Sequence, residues 1–505
     1  MIGASVRNMA GAAIPAIVNI FTIPYIVRSL GNEGYGAFAL IASIVGYFSL
    51  LDINVTSGSV KFVAEHNAKG ERQELCAVVT LSCLIYFFIG IIGLFGIFFS
   101  ADFITGHLFT ISVQQRALVS STLQLAAIGF FIAQIQVYLN SIPQSLNRYD
   151  ISALFEVIFG IGVPLGTVFL LWLGFGLHGV VAFRVAASAV NVLFLVLVIK
   201  RLIPDFRWIT PSNAVVRKVS SFSGYAYLSS IAAVTYAHAD KLIIGSLVGV
   251  AEVTYYAVPA TLVNRLLGLT YRLGSVLFPV ASELDARGEH ERLGRLYLSA
   301  TRYLTYINTF VVLIISLFSF QILRAWLGEQ AAVHGQWIMV TIALSMLMDS
   351  LTNLPSFLND GLGFPKITGS LAAARAVTGL VLGYVLTREL GIFGAALAHL
   401  ISSLLLVSIF LVLVHRTTVP VSLGKIIVGG YLPSAVIAMV CGALGWALGA
   451  SRDLSWMQAI GVSVLVSLLY ILLGAVIVLE PVHRQSIKKL VFGRVSETMD
   501  QGQSS

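Results

Sequence analysis

The chain has 505 residues, of which 57% are hydrophobic and 11% charged, with a formal net charge of +8 at pH 7. Soluble globular domains carry about 25% charged residues, so this chain lacks the polar shell that a water-soluble body of its size requires. Its mean hydropathy of +0.91 agrees, and the solvent for most of its surface is lipid.

In hydrocarbon every backbone N–H and C=O needs an internal partner, which leaves helices or a closed barrel. Barrel strands alternate over about 10 residues. The apolar runs here are about 20 long, the length that crosses roughly 30 Å at 1.5 Å per residue. An all-α polytopic membrane protein is expected. In chain order the predicted spans are 9–28, 37–57, 76–99, 117–139, 151–173 and 177–199, then 221–247, 254–278, 298–323, 336–358, 365–387 and 391–414. A last pair follows at 426–449 and 457–479, making fourteen. The first run is long enough to span, and no cleavable signal peptide is evident. Cys76, Cys83 and Cys441 lie in or beside apolar runs without CxxC spacing, and read as core residues rather than disulfides or metal ligands.

Orientation follows from Lys and Arg, which accumulate on cytoplasmic loops. With the N-terminus inside, twenty of them, from Arg7 to Arg494, fall on one set of loops and ends. Five fall on the other: Arg28, Arg116, Arg324, Arg388 and Arg452. Both termini are expected in the cytoplasm. The net charge is thus a signature of topology and implies no nucleic acid. The basic stretch His483 to Arg494 carries Ile487, Leu490 and Val491 and suits an anionic leaflet; the final ten or so residues are expected to be disordered.

An internal repeat is visible. After the second span the chain reads Gly58-Ser59-Val60-Lys61-Phe62, Ala64-Glu65 and Gly70-Glu71. After the eighth it reads Gly274-Ser275-Val276-Leu277-Phe278, Ser282-Glu283 and Gly288-Glu289, at offsets of 216 to 218; Gly31 and Gly249 are also 218 apart. Six spans separate the copies, an even number, so the halves enter the membrane in the same sense with a pseudo-twofold axis along its normal. The expected units are an N-terminal six-helix lobe at 1–208, a C-terminal six-helix lobe at 209–418, a helix pair at 419–480 and a basic cytoplasmic tail at 481–505.

Charges inside spans are the sites with chemistry. A central Arg or Lys costs roughly 2.5–3.5 kcal/mol on insertion scales, so intramembrane charges face water, pair, or reach a headgroup. Arg265 and Arg272 lie seven residues apart, two turns on nearly one face. Arg184 and Arg375 recur in spans 6 and 11, and Lys241 in span 7. Together they predict a cationic cavity for an anion, and guanidinium forks suit phosphate oxygens. Asp52, Glu156, Asp240 and Asp349 are candidates for ion coupling or for pairing with these bases. Arg302, about one turn into span 9, is expected to snorkel to the cytoplasm. Tyr225, Tyr227, Tyr236, Tyr255, Tyr256, Tyr271, Tyr303 and Tyr306 crowd spans 7 to 9 and are suited to stack on sugar or to form an interfacial belt.

No GxxxxGK[ST] phosphate loop and no HExxH occur. Gly174-Phe175-Gly176-Leu177-His178-Gly179 matches GxGxxG only formally, since it joins two membrane spans. No catalytic residue, metal or cofactor is expected, and no enzyme.

Pro24, Leu30-Gly31-Asn32-Glu33-Gly34-Tyr35-Gly36 and Leu51-Asp52 resemble the opening of the polysaccharide-transport family of O-antigen and exopolysaccharide flippases. Asp240-Lys241-Leu242-Ile243-Ile244-Gly245, Gly249, Tyr255-Tyr256-Ala257, Phe278-Pro279 and Gly288-Glu289 resemble that family's pattern after its seventh helix. The family lies in the multidrug/oligosaccharidyl-lipid/polysaccharide exporter superfamily. The resemblance implies two six-helix lobes in a V, often with two further helices. It implies flipping of undecaprenyl-diphosphate-linked oligosaccharide repeat units across the bacterial inner membrane, by alternating access with ion coupling. The partners implied are that lipid-linked oligosaccharide, membrane lipids and a polysaccharide polymerase or chain-length regulator. A drug or cation antiporter of the same superfamily and a peptidoglycan lipid-precursor flippase remain as alternatives. A membrane glycosyltransferase or polymerase is disfavoured by the short loops.

Overall fold

The computed structural model describes residues 2–52, 55–275, 277–450 and 454–480, with side chains from residue 14 onward except at 57, 214, 217–226, 228, 229 and 269. The expected basic tail, Arg452, and the side chains of Arg7 and Tyr225 lie outside the described residues. No strand occurs among the described residues.

The helices run in chain order as α1 (Ile2–Phe48), α2 (Val55–Lys69), α3 (Arg72–Phe103), α4 (Val113–Ser145), α5 (Tyr149–Trp172) and α6 (Leu177–Leu202). The second half holds α7 (Asn213–Leu247), α8 (Val250–Gly274), α9 (Leu277–Ala286), α10 (His290–Leu317), α11 (Ser319–Leu327), α12 (Glu329–Ser350), α13 (Asn353–Gly361) and α14 (Pro365–Thr417). Then come α15 (Leu423–Ile426), α16 (Leu432–Ala447) and α17 (Trp456–Ile477). Ten described helical segments are long and apolar enough to cross a membrane. Two of these cross twice, because α1 and α14 are each broken by a glycine with non-helical backbone, Gly31 at φ 70° and Gly391 at φ 61°. With α7 and α8, 35 and 25 residues long, fourteen passes result. The predicted second span, 37–57, ends earlier: α1 stops at Phe48, and the chain re-enters helix at Val55 as the separate α2. The predicted ninth span, 298–323, is a helix from His290 to Leu317 followed by the short α11.

The repeat is written in the backbone as well as the sequence. Left-handed residues recur in pairs at nearly one offset: Gly31 and Gly249, Gly70 and Gly288, Asn147 and Gly363, Gly174 and Gly391. Gly70 and Gly288 have φ of 72° and 71°, and each follows a short helix on the face rich in Lys and Arg. There the next residue's amide closes the same turn, Glu71 N to His66 O and Glu289 N to Leu284 O, both 2.9 Å. Glycine tolerates this conformation because it has no Cβ. The chain therefore forms two bundles of six spans in parallel repeat, with α16 and α17 added.

The added pair docks on α10. Tyr306 and Tyr470 stack at 4.6 Å between centroids, and each hydroxyl donates to the other's backbone carbonyl at 2.9 Å. A π-helical turn at Ile427–Tyr431 turns the Gly429 carbonyl toward Arg302, whose Nε donates to it at 2.6 Å. Arg302 is thus a clamp, and its Nη1 also lies 4.0 Å from Oε1 of Glu480 beyond α17.

The bundles meet most closely on the face away from the basic loops, where the halves of α1 flanking Gly31 pack on the start of α8. The backbones come so close that a Cβ on Gly36 would sit 1.9 Å from the Val250 carbonyl oxygen. Thr254 donates to Asn32 O at 2.6 Å, and Asn32 Nδ2 donates to the Tyr255 hydroxyl at 2.8 Å. Thr110 N donates to Gly245 O at 3.1 Å, and Trp326 Nε1 donates to Ile20 O at 2.9 Å. These contacts seal that face.

Candidate functional site

Away from the seal, α8 changes character. Leu262, Val263, Leu267 and Thr270 are buried in the C-terminal bundle, whereas Asn264, Arg265, Gly268, Tyr271 and Arg272 are exposed. The exposed set repeats every three or four residues, so it is one stripe of the helix. Arginines in a span face water, pair, or reach a headgroup, and the two on this stripe differ in which of these they do. Arg265 has no carboxylate partner among the described residues. Arg272 reaches the other bundle, and its Nη2 lies 3.3 Å from Oε1 of Glu156 on α5, with both side chains half exposed. Arg272 and Glu156 meet here, with Arg265 two turns earlier on the same stripe.

Arg184 lies elsewhere. It is exposed on α6, its guanidinium 5.0 Å from the centroid of the Phe38 ring on α1. No described carboxylate pairs with it. It belongs to the N-terminal bundle, apart from the α8 stripe.

Arg375 and Lys241 stand in a third place, inside the C-terminal bundle. Arg375 Nη2 is bonded to Asp349 Oδ1, and Tyr236 donates to Asp349 Oδ2 at 2.5 Å. The Tyr236 ring meets the His399 ring edge-on at 5.0 Å, and His399 Nε2 lies 3.9 Å from Asp240 Oδ2. Lys241 Nζ pairs with Asp240 Oδ1 at 3.2 Å. The chain of polar groups thus runs from Asp349 through Arg375, Tyr236 and His399 to Asp240 and Lys241, bridging α12, α14 and α7. Its side chains are 10–19% exposed where measured. The cavity beside it, closed by Ile243, Gly379, Leu380 and Thr387, leaves about 20 Å³ to water-sized occupants. That admits a water or an ion and excludes a sugar or a diphosphate. Arg375 Nε and Thr387 Oγ1 have no protein partner there, the donor and acceptor such an occupant would meet. His399 carried no signal in the sequence, since a lone histidine in an apolar run has no motif.

Asp52 is in a fourth place, at the basic-loop end of the N-terminal bundle. Tyr86 donates to its two oxygens at 3.0 and 3.2 Å, stacks on Tyr138 at 5.4 Å, and Tyr138 is bonded to Ser59 at 3.1 Å.

The tyrosines divide likewise. Tyr227 donates to Leu50 O at 2.8 Å, Tyr236 is bonded to Asp349, Tyr255 to Asn32, and Tyr306 to Tyr470. Tyr256 is fully buried, and Tyr303 accepts from Glu480 N. Tyr271, 49% exposed, is the one on the α8 stripe.

Comparison with known proteins adds three findings. Residues 6–285 match the model of the family described as "Polysaccharide biosynthesis protein". The "Putative O-antigen transporter" of Shigella flexneri is 24% identical over 399 residues, covering 78% of this chain and 93% of that protein. Among solved structures, "Lipid II flippase MurJ, inward closed conformation" superposes at a TM-score of 0.71 with 13% identity, over 93% of this chain and 98% of that one. An inward-facing multidrug resistance transporter of the MATE family, in the MOP superfamily, superposes at 0.67 with 16% identity, over 86% and 98%.

Proposed function

Because the chain belongs to the polysaccharide biosynthesis protein family, we propose that it is a flippase for undecaprenyl-diphosphate-linked oligosaccharide repeat units, serving O-antigen, capsule or exopolysaccharide synthesis. The observation that carries this reading is the exposed stripe of Arg265, Tyr271 and Arg272 on α8, joined to the other bundle through Glu156; we read the stripe as lining a gap between the bundles. A diphosphate joined to polyprenol at one end and sugar at the other brings two negative charges to a headgroup whose tail stays in lipid. Guanidinium groups match its oxygens, and Tyr271 offers a face to the first sugar.

The sidedness is taken from the loops. The twenty Lys and Arg on one set of loops support the reading that this face, and both termini, lie in the cytoplasm of a bacterial inner membrane. The Gly31 face is then sealed on the outside, and the Glu156–Arg272 bridge stands at the cytoplasmic end of the stripe, where cargo would arrive. The lobes 1–208 and 209–418 rock about this site, the pair 419–480 rides on α10, and 481–505 is the basic tail. The polar chain from Asp349 to Asp240 fits the ion-coupling element of alternating access, with Asp52 a further candidate.

A cation antiporter would leave an unpaired carboxylate in the open gap. Here Asp240 and Asp349 are paired and buried, Glu156 is paired with Arg272, and Arg265 is the open group. A peptidoglycan-precursor flippase shares the lipid diphosphate and is separated by phenotype. Deleting the gene is expected to abolish one surface polysaccharide with drug susceptibility unchanged; intact polysaccharide with lost resistance to cationic drugs would favour the antiporter. Cysteine labelling is expected to find positions near 210, 290 and 420 inside and positions near 107 and 330 outside.

A further inference from the structure

Glu156 is out of place in an anion site. It stands on α5 among residues whose exposed neighbours, Leu154 and Ile158, are apolar, and its carboxylate repels the cargo that Arg265 and Arg272 attract. Its partner is Arg272, 116 positions away and in the other bundle. Glu156 lies about two turns into α5 from the basic-loop end, and Arg272 two residues before the end of α8. The pair therefore spans the mouth of the gap. The opposite face is tied by neutral donors to carbonyls and hydroxyls, such as Thr254 to Asn32 and Asn32 to Tyr255. Those bonds lie at the far face and carry no charge, whereas an anion at the mouth meets the charged Arg272 directly.

We infer that Glu156 is a latch against Arg272, released by a headgroup that engages both arginines, so that selectivity lies in opening rather than in binding. Arg265 sits roughly 10 Å deeper along α8 and is open to any anion. A monoanionic headgroup, such as that of an ordinary phospholipid, occupies Arg265 and leaves the Glu156–Arg272 bridge in place. A diphosphate gains a second guanidinium at Arg272, where it competes with the single Nη2 contact to Glu156 at 3.3 Å, and a bidentate fork that wins Arg272 frees α5 from α8. The mouth then widens for the bulky sugar. The bridge is half exposed, so it biases the two postures by only a few-fold, a bias that one phosphate–guanidinium fork reverses. Specificity here comes from a repulsive element placed against the wrong ligand. This inference rests on the reading of the cargo as a lipid diphosphate.

The test uses full-length protein in nanodiscs with Cys76, Cys83 and Cys441 replaced and spin labels at Leu154→Cys and Leu273→Cys, both exposed positions. The α5–α8 distance distribution is recorded alone and with farnesyl diphosphate, farnesyl monophosphate or farnesol, and binding of each is titrated separately. In the wild-type background the diphosphate is expected to raise the long-distance population two- to fivefold, and the other two to leave it unchanged. Glu156→Gln is expected to show the long population without ligand. The reversed pair Glu156→Arg with Arg272→Glu is expected to return to the short one, which separates a latch from a folding defect. A Glu156→Gln distribution identical to wild type, or a diphosphate that binds without widening the mouth, would overturn the latch. If the diphosphate binds no better than farnesol, the cargo reading fails, while the ligand-free distances still judge the latch.

Discussion

The two bundles share their backbone punctuation and differ in what they hold. Gly70 and Gly288, or Gly174 and Gly391, adopt the same left-handed turns half a chain apart, yet the buried ionic chain from Asp349 through Arg375 and His399 to Asp240 exists only on the C-terminal side among the described residues. At matching depth the N-terminal bundle has Arg184 on Phe38 and, near its basic-loop end, the neutral stack of Tyr86 and Tyr138 on Asp52. Turn geometry is fixed by backbone sterics, so duplication preserves it. Interior polar chains depend on several side chains at once, so one copy can carry them while the other does without. The lesson is that symmetry here belongs to the backbone turns and asymmetry to the interior chemistry.

The sharpest way to break that contrast is to unpair the C-terminal chain. Asp349→Ala leaves Arg375 charged and nearly buried, and is expected to cost about 3–5 kcal/mol, read as lost thermal stability in detergent. Asp349→Asn combined with Arg375→Met is expected to recover most of that loss while transport stays impaired. Full stability in the single variant would show that the pair is not structural.

Arg265→Ala with Arg272→Ala addresses the open stripe and is expected to do the reverse. The protein stays stable, because neither side chain is packed, and complementation of polysaccharide export falls at least tenfold. Lysines retain part of the activity if the role is charge and little if it is bidentate recognition. Full export by a well-expressed double variant would send the search to Arg184.

Gly36→Ala tests the seam between bundles, since its Cβ would collide with the Val250 carbonyl. A loss of about 1–3 kcal/mol is expected, together with labelling of the Gly31 face by a membrane-impermeant thiol reagent at an engineered cysteine there. Unchanged labelling would mean that the seam does not close that face.

The smallest effect tests the symmetry. A Cβ at Gly70 or Gly288 meets nothing within 4 Å, so Gly70→Ala and Gly288→Ala are expected to cost only the left-handed strain, about 1–2 kcal/mol, and to cost it equally. A marked difference in unfolding midpoint between the two would argue against equivalent turns.

What the sequence determined was everything carried by local pattern. Twenty-residue apolar runs dictated the spans because the bilayer has one thickness, and the glycine offsets announced the repeat because each left-handed turn is a local steric demand. Even the face shared by Arg265 and Arg272 followed from helical period. Other outcomes needed the tertiary structure. In sequence, Arg184, Arg265, Arg272 and Arg375 are equivalent intramembrane arginines; in the fold, Arg375 is paired to Asp349, Arg184 lies on Phe38, and Arg265 remains open. Arg302, expected to reach for the headgroups, is captured by Gly429 of the added pair. Glu156 meets Arg272 only because two bundles built far apart in the chain lean together at one mouth. The position of a charge along a helix is local, whereas the partner that neutralises it is set by packing between segments more than a hundred residues apart, which no period or propensity encodes.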